Sequence, residues 1–244
     1  VDVTLGPFYY RASPPGGDGT CPLYNPSDRR GVEQVWGKEE DFHVAQTVEE
    51  ATARVKAAGG IPWTSDLVSI TPDDRVIFIG PGERILAHTN EFIGGRNHIT
   101  TMMKARSSAG RNFLEICSCA GWGDVGYTNR WTMEIHNNST AYHIPLVVGR
   151  RYAQLIFFAT DGIAGESYES TGKYQAQQED EGSWTPGRML PKMWADREVE
   201  HNPWRGKRSQ DLIASVLKAE EARKKRGAAT DEATVAQEVK RVKR

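Results

Sequence analysis

Gly121-Trp122-Gly123-Asp124-Val125-Gly126-Tyr127-Thr128-Asn129-Arg130-Trp131-Thr132-Met133-Glu134-Ile135-His136 is the stretch that decides the fold. Trp131, Met133 and Ile135 alternate with Thr132, Glu134 and His136, the period-2 signature of a half-buried strand. A glycine-bearing turn that carries Asp124 and Tyr127 leads into it. With the three apolar residues facing a core, Glu134 points to the other face, toward solvent or a subunit interface.

The β texture extends outward over residues 67–158. Residues 76–79 form a short apolar run that ends at Gly80-Pro81-Gly82. Another strand starts at 84–88, and runs at 144–148 and 152–158 flank Gly149-Arg150. Residues 1–5 alternate as well. Short strands between Gly and Pro turns predict a mainly β fold, a jelly roll or distorted β-barrel. One helix is predicted before residue 205: Thr47 and Glu50 make a capping box, and 48–58 runs in helix formers until Gly59-Gly60. Residues 13–30 read as a Pro- and Gly-rich loop. Residues 209–225 read as a charged helix with Leu212, Ile213, Val216 and Leu217 on one narrow face. A second polar helix or a disordered tail is expected after Gly227. The expected division is a catalytic β-barrel over 1–190 and a helical extension over 191–244.

The chain has 244 residues, enough for one large or two small domains without disulfide staples. Lys plus Arg is 31 against 32 for Asp plus Glu, which excludes a globally basic nucleic-acid binder and a polyacidic tail protein. The positive charge gathers late, at Arg223, Lys224, Lys225, Arg226, Lys240, Arg241, Lys243 and Arg244. Acidic residues interleave with it, so a solvated helix packed across an oligomer is favoured over a partner surface. Three cysteines, two of them at Cys117 and Cys119, do not form a secreted disulfide framework, so a reducing, cytoplasmic setting is expected. No run of 18 apolar residues is present, and no membrane association is expected. Val1 opens inside a strand, so a natural segment before it is expected.

Two further stretches can carry chemistry. Arg106-Ser107-Ser108-Ala109-Gly110-Arg111 sets two guanidinium groups and two hydroxyls around a small-residue turn, a set that can grip a polyphosphate. Taken alone, such a string is common in surface loops. Gly172-Lys173-Tyr174-Gln175-Ala176-Gln177, preceded by Tyr168, can close an aromatic ring and an ammonium over a ligand. Taken alone, it is an ordinary polar loop, just as a lone strand glutamate is ordinarily only solvated.

In order and spacing these stretches resemble the dCTP deaminase and dUTPase superfamily, and more closely its dCTP deaminase branch. The resemblance runs from about residue 1 to 177. It takes in Pro81-Gly82-Glu83, the Arg106-Ser107-Ser108 motif with Arg111, and Ala120-Gly121 with Asp124 and Gly126-Tyr127. Glu134 stands ten residues after Asp124, where dUTPases usually carry an apolar residue. Ala153-Gln154-Leu155-Ile156-Phe157 and the lid complete it.

The resemblance implies homotrimers of distorted β-barrels with active sites between subunits. It implies that Arg106, Ser107, Ser108 and Arg111 meet the triphosphate or brace the catalytic group, and that Gln154 supports the phosphates. Asp124 would bond the 3′-hydroxyl, Tyr127 would stack beneath the sugar, and Ala120 would lie by the water. Tyr168, Lys173 and Gln177 would close over the nucleotide, and Mg²⁺ would travel with the triphosphate. Glu134 would be the catalytic carboxylate, with Arg111 and Ser107 beside it. Val125 for a usual Pro, Asn129 for a usual Gly and Cys119 for a usual Thr depart from the deaminase pattern.

The zinc deaminases use His-x-Glu with Pro-Cys-x-x-Cys. This chain has neither, so a zinc-independent route is expected, with the Cys117/Cys119 pair filling a buried strand. The leading expectation is deamination of dCTP to dUTP and ammonia, alone or coupled to release of dUMP. A dUTP or dCTP pyrophosphatase and a non-catalytic nucleotide-binding family member remain the alternatives. No nucleic-acid partner is expected.

Overall fold

The computed structural model describes residues 1–14, 23–60, 63, 67–175, 177 and 179–242, from 226 onward by backbone alone. Cys21, the middle of the Pro- and Gly-rich loop, Ala176 of the lid motif, Lys243 and Arg244 lie outside the described residues, as do the Arg226, Lys240 and Arg241 side chains. The chain divides into two compact units, Val1–Ala195 and Asp196–Arg244.

The first unit is mainly β, as expected. Its elements in order are β1 (Asp2–Arg11), α1 (Arg29–Trp36), β2 (His43–Val44), β3 (Gln46–Thr47), α2 (Val48–Ala57), β4 (Arg75–Ile79), β5 (Arg84–Gly94), β6 (Ile99–Ala105) and α3 (Ser107–Gly110). There follow β7 (Leu114–Ile116), β8 (Trp122–Gly123), β9 (Thr128–Asn137), β10 (Ile144–Val147), β11 (Arg151–Ala159) and α4 (Tyr168–Thr171). Two 3₁₀ turns, Pro186–Met189 and Met193–Ala195, close the unit. The large antiparallel sheet runs β7-β9-β5-β1-β11-β6-β8, with β2 added to β1; the small one runs β10-β4-β3. The large sheet curls until β7, at one end, meets β6 near the other, giving a half-barrel.

The core sits inside this curl. On β9 every second residue is buried from Asn129 through Trp131, Met133 and Ile135 to Asn137, so Glu134 faces away from the core as the alternation requires. Val3, Leu5, Ile85, Ala87, Met103 and Leu155 meet the β9 apolar residues. Each fully buried large side chain of this kind contributes roughly 1.5–3 kcal/mol. A smaller cluster of Tyr10, Leu86, Met189 and Leu190 joins the 3₁₀ turn to the outer face of β1 and β5.

The helix over Val48–Ala57 forms with its capping box: the Glu50 amide donates to Thr47 Oγ1 at 3.1 Å and the Thr47 amide donates to Glu50 Oε2 at 2.8 Å. The expectation of one helix before residue 205 is corrected by the single-turn α3 and α4 and by the helix Arg29–Trp36. Asp28 caps it, accepting from the Arg30 amide at 3.0 Å. It spans 8 residues and buries only Val32, too short a repeat for a periodicity to stand out.

The second unit holds α5 (Arg197–Glu200) and α6 (Lys207–Val242). α6 runs unbroken past Gly227, in place of a second helix or a disordered tail. A helical glycine costs about 1 kcal/mol relative to alanine, and Ala228, Ala229 and Ala233 around it favour the helix. Among the described residues no helix is long and apolar enough to cross a membrane.

Candidate active site

The outer face of β9 forms the floor of a cavity of about 430 Å³. Six of the residues expected at the site line it: Ala120, Asp124, Tyr127, Glu134, Tyr168 and Lys173. Glu134 stands opposite Leu86 across the β5–β9 pair and is half-buried. Its carbonyl accepts from the Cys117 amide at 3.2 Å. Cys117 holds a positive φ of 46°, a conformation that costs a β-branched or ordinary side chain about 1 kcal/mol or more. That bend turns the chain out of β7, and the Ala120–Trp122 segment comes round to form the cavity wall. Cys117 itself is buried and bonds inward, its Sγ donating to the Thr132 carbonyl at 3.4 Å. Burial pushes its thiol up to about 12, so it is a protonated core group at neutral pH. Cys119 is exposed on the turn, which corrects the expectation that both cysteines fill a buried strand.

The wall over Asp124–Tyr127 is a tight turn closed by the Tyr127 amide donating to the Asp124 carbonyl at 3.0 Å. Gly126 holds φ of 95°, the third position of a type II turn, which favours glycine. The lid lies directly on this glycine: a Cβ there would stand 3.1 Å from Ser167 Cβ and from the Tyr168 amide. The Tyr168 amide donates to the Val125 carbonyl at 3.2 Å, and the Tyr168 ring meets Tyr127 edge-on with centroids 5.2 Å apart. Tyr127 is also edge-on to Trp131 at 5.0 Å. Burial, and then the neighbouring Tyr168 hydroxyl, hold the Tyr127 phenol well above its ordinary pKa, so it stays neutral.

Three residues outside the expected site residues, two of them within the quoted lid motif, fasten the lid. Gln175, buried, accepts from the Thr128 amide at 2.9 Å and donates to the Gly126 carbonyl at 3.3 Å. Asn129 donates to the Tyr174 carbonyl at 3.1 Å. Tyr174 also lines the cavity, and its hydroxyl accepts from the Lys192 amide at 3.2 Å. Lys173 Nζ lies 5.4 Å from the Tyr174 ring centroid. Met189 and Pro191 close the far side. Gln177 is exposed and stands outside the cavity lining.

The phosphate-type loop lies elsewhere on the same chain. Trp122 at the cavity pairs with Met102, and Arg106 follows four extended residues further along, roughly 13 Å. Ser107, Ser108 and Arg111 are exposed on α3 and its end, and among the described residues no ion pair joins Arg111 to Glu134. Arg106 and Gln154 do come together, around Asp2: Gln154 Nε2 donates to it at 2.9 Å, Arg151 Nη1 at 2.7 Å, and Arg106 Nε stands 3.6 Å away. The Gln154 hydrogen bond and the two guanidinium charges hold the Asp2 carboxyl below its ordinary pKa. In this cluster the cationic and amide donors are already met by an internal carboxylate. Among the described residues no group of three or more His, Cys, Asp or Glu side chains is arranged to hold a metal ion.

A curled β half-barrel with a carboxylate-floored, tyrosine-walled cavity under a lid defines the structural class. The family described as dCTP deaminase-like matches residues 39–160, half of the chain, and the chain belongs to that family. A dUMP-forming dCTP deaminase of Persephonella marina is 34% identical over 113 residues, 46% of this chain and 61% of the relative. One of a Hydrogenobaculum species is 40% identical over 90 residues, 37% of this chain and 50% of the relative. The chain thus spans between half and about three-fifths of the curated relatives it matches. Among solved structures, the 2′-deoxycytidine 5′-triphosphate deaminase of Agrobacterium tumefaciens aligns over 64% of this chain and 38% of its own at 14% identity, with a TM-score of 0.38.

Proposed function

We propose that the protein hydrolyses the exocyclic amine of dCTP, giving dUTP and ammonia. The observation that carries this is the convergence of Glu134, Asp124, Tyr127, Tyr168 and Lys173 on one cavity. The Glu134 carboxylate takes a proton from water as the water oxygen bonds to C4 of cytosine. Glu134 passes that proton to N3, takes the proton of the new C4 hydroxyl and hands it to the amine, and the C4–N bond breaks as the C4 carbonyl forms, releasing ammonia. Proton transfer by a positioned carboxylate is worth roughly 10²–10⁴-fold, and positioning supplies the rest. Asp124 takes the 3′-hydroxyl, Tyr127 lies under the sugar, and Tyr168, Lys173 and Gln177 close with the lid. Mg²⁺ enters bound to the triphosphate, as part of the substrate.

The triphosphate falls to Ser107, Ser108 and Arg111, with Arg106 and Gln154 behind them. Because this loop and the cavity stand apart within one chain, we place the loop of a second copy at the cavity mouth, in a homotrimer with shared sites. Trp122, stacked on Phe158 at 6.1 Å, together with Ile156, exposes an apolar patch beside the cavity that supports such an interface. The relatives' description as dUMP-forming favours a coupled second step, hydrolysis of dUTP to dUMP and diphosphate.

Assaying ammonia, diphosphate and nucleotide products from dCTP, dUTP and dCMP tests the reading. Glu134→Gln is expected to abolish ammonia release while nucleotide binding persists; wild-type ammonia release from that variant refutes the role of Glu134. Arg111→Ala is expected to weaken both binding and turnover. Mixing the two impaired variants during refolding raises activity above that of either alone if the sites are shared, and gives only the average of the two if each chain works alone.

A further inference from the structure

A second cavity, of about 670 Å³, lies apart from the candidate active site and shares no lining residue with it. It opens between α2 and strands β1 and β4. Its walls are aromatic: the Trp63 and Phe78 rings stack with centroids 4.4 Å apart at 26°, and the Tyr9 ring meets His43 at 5.2 Å. Its charge is positive. Arg11 and Arg54 line it, and among the described residues no carboxylate does.

The two guanidinium groups differ in what they already do. Arg11 donates to the Phe78 carbonyl at 2.7 Å, pairs with Glu83 at 3.1 Å and lies over the Tyr9 ring. It is part of the wall. Arg54 sits exposed in the last turn of α2 and, among the described residues, its side chain has no hydrogen-bond or ion-pair partner. Burial, and then the charges of Arg11 and Arg54, lower the pKa of His43, so both cations are felt inside the cleft and the imidazole is neutral at pH 7.

We propose that this cleft is a second nucleotide site, binding a nucleoside monophosphate with its base on the aromatic wall and its phosphate on Arg54. The volume falls within the roughly 300–1,000 Å³ of small-molecule sites. Aromatic faces stack any nucleobase, and an unpaired guanidinium matches two phosphate oxygens at once. A neutral aromatic ligand leaves Arg54 unused, and an aliphatic acid leaves the aromatic wall unused. A nucleotide uses both.

The test is calorimetric titration of the full chain with AMP, with adenosine as the phosphate-free comparison. The expected result is one AMP per chain, adenosine roughly tenfold weaker or worse, and a loss of about tenfold or more for Arg54→Ala. Arg54 supports no other element, so this variant folds as the parent does, and far-ultraviolet circular dichroism checks it. Trp63→Ala is expected to weaken AMP and adenosine alike. Glu134→Gln is expected to bind AMP unchanged. No AMP binding at millimolar concentration, an Arg54→Ala variant that binds as the parent does, or loss of AMP binding in Glu134→Gln overturns the proposal.

Discussion

Gly126→Ala is the most informative single change at the lid. Gly126 holds φ of 95°, where an L side chain costs roughly 1–2 kcal/mol. The new methyl would also stand 3.1 Å from Ser167 Cβ and the Tyr168 amide, and 3.3 Å from the Glu169 amide. Two of these neighbours are backbone atoms, so relief comes only if the lid lifts by a few tenths of an ångström. That movement strains the Tyr168-to-Val125 bond at 3.2 Å and the Gln175-to-Gly126 bond at 3.3 Å. The intrinsic strain lowers Tm by about 2–8 °C for a unit of this size. Lid lifting shows separately, as faster hydrogen exchange at the Tyr168 and Gly172 amides and a KM for dCTP raised by about tenfold, with a smaller loss in kcat. Gly149→Ala, with φ of 81° and nothing within 4 Å of the new methyl, carries the strain without the lid contact and serves as the control. If Gly126→Ala keeps the parent's Tm, exchange rates and KM, the lid does not rest on this turn and the closing role given to residues 167–175 is wrong.

His88 is buried and neutral: its Nε2 accepts from the Phe8 amide at 3.3 Å and its Nδ1 faces the Thr89 carbonyl at 2.8 Å. Burial lowers its pKa from 6.5 to about 4, so between those values the unfolded chain binds a proton that the folded chain refuses. Stability therefore falls as pH drops from 6.5 to 4, by about 3 kcal/mol over the window; urea unfolding at several pH values reads it, and an unchanged slope in His88→Phe refutes the assignment. Gly6→Ala places a Cβ 2.0 Å from the His88 ring, and a loss of about 3 kcal/mol or more is expected by the same assay. Iodoacetamide at neutral pH is expected to label exposed Cys119 and to spare Cys117 until the protein unfolds, as peptide mass mapping would report. Early labelling of Cys117 would contradict its burial.

The parts of the site that sit on regular structure were legible in the sequence. A period of two cannot put Trp131, Met133 and Ile135 in the core without turning Glu134 outward, so the carboxylate's face followed from four residues. The Asp124–Tyr127 turn was legible through its glycines. Irregular segments carry no such parity. Gln175 and Gln177 are the same residue type in the same motif, yet Gln175 is buried and bonded to the turn while Gln177 is exposed. Only the shape of the turn beneath decides between them. Met189 and Pro191 lie more than fifty residues from Glu134 and belong to no motif; they reach the cavity because Met189 and Leu190 are drawn into the small core with Tyr10 and Leu86.

The phosphate-type loop teaches the opposite lesson. Arg111 and Glu134 stand 23 residues apart in successive motifs, and the motif order invites placing them side by side. β6 prevents it, because its early residues Thr101 and Met102 pair with the cavity wall while its end delivers Arg106 to α3. The two halves of the proposed site are therefore fixed at different ends of the same sheet. Asp2 answers the charge of Arg106 and Arg151 within the chain, whereas Arg111 has no such internal carboxylate among the described residues. A guanidinium left exposed at the end of a short helix, beside two exposed serine hydroxyls, suits capture of phosphate arriving from outside. In the proposed trimer that phosphate belongs to a nucleotide whose base lies over the Glu134 of another copy, which is why the mixing of Glu134→Gln and Arg111→Ala chains separates a shared site from a private one.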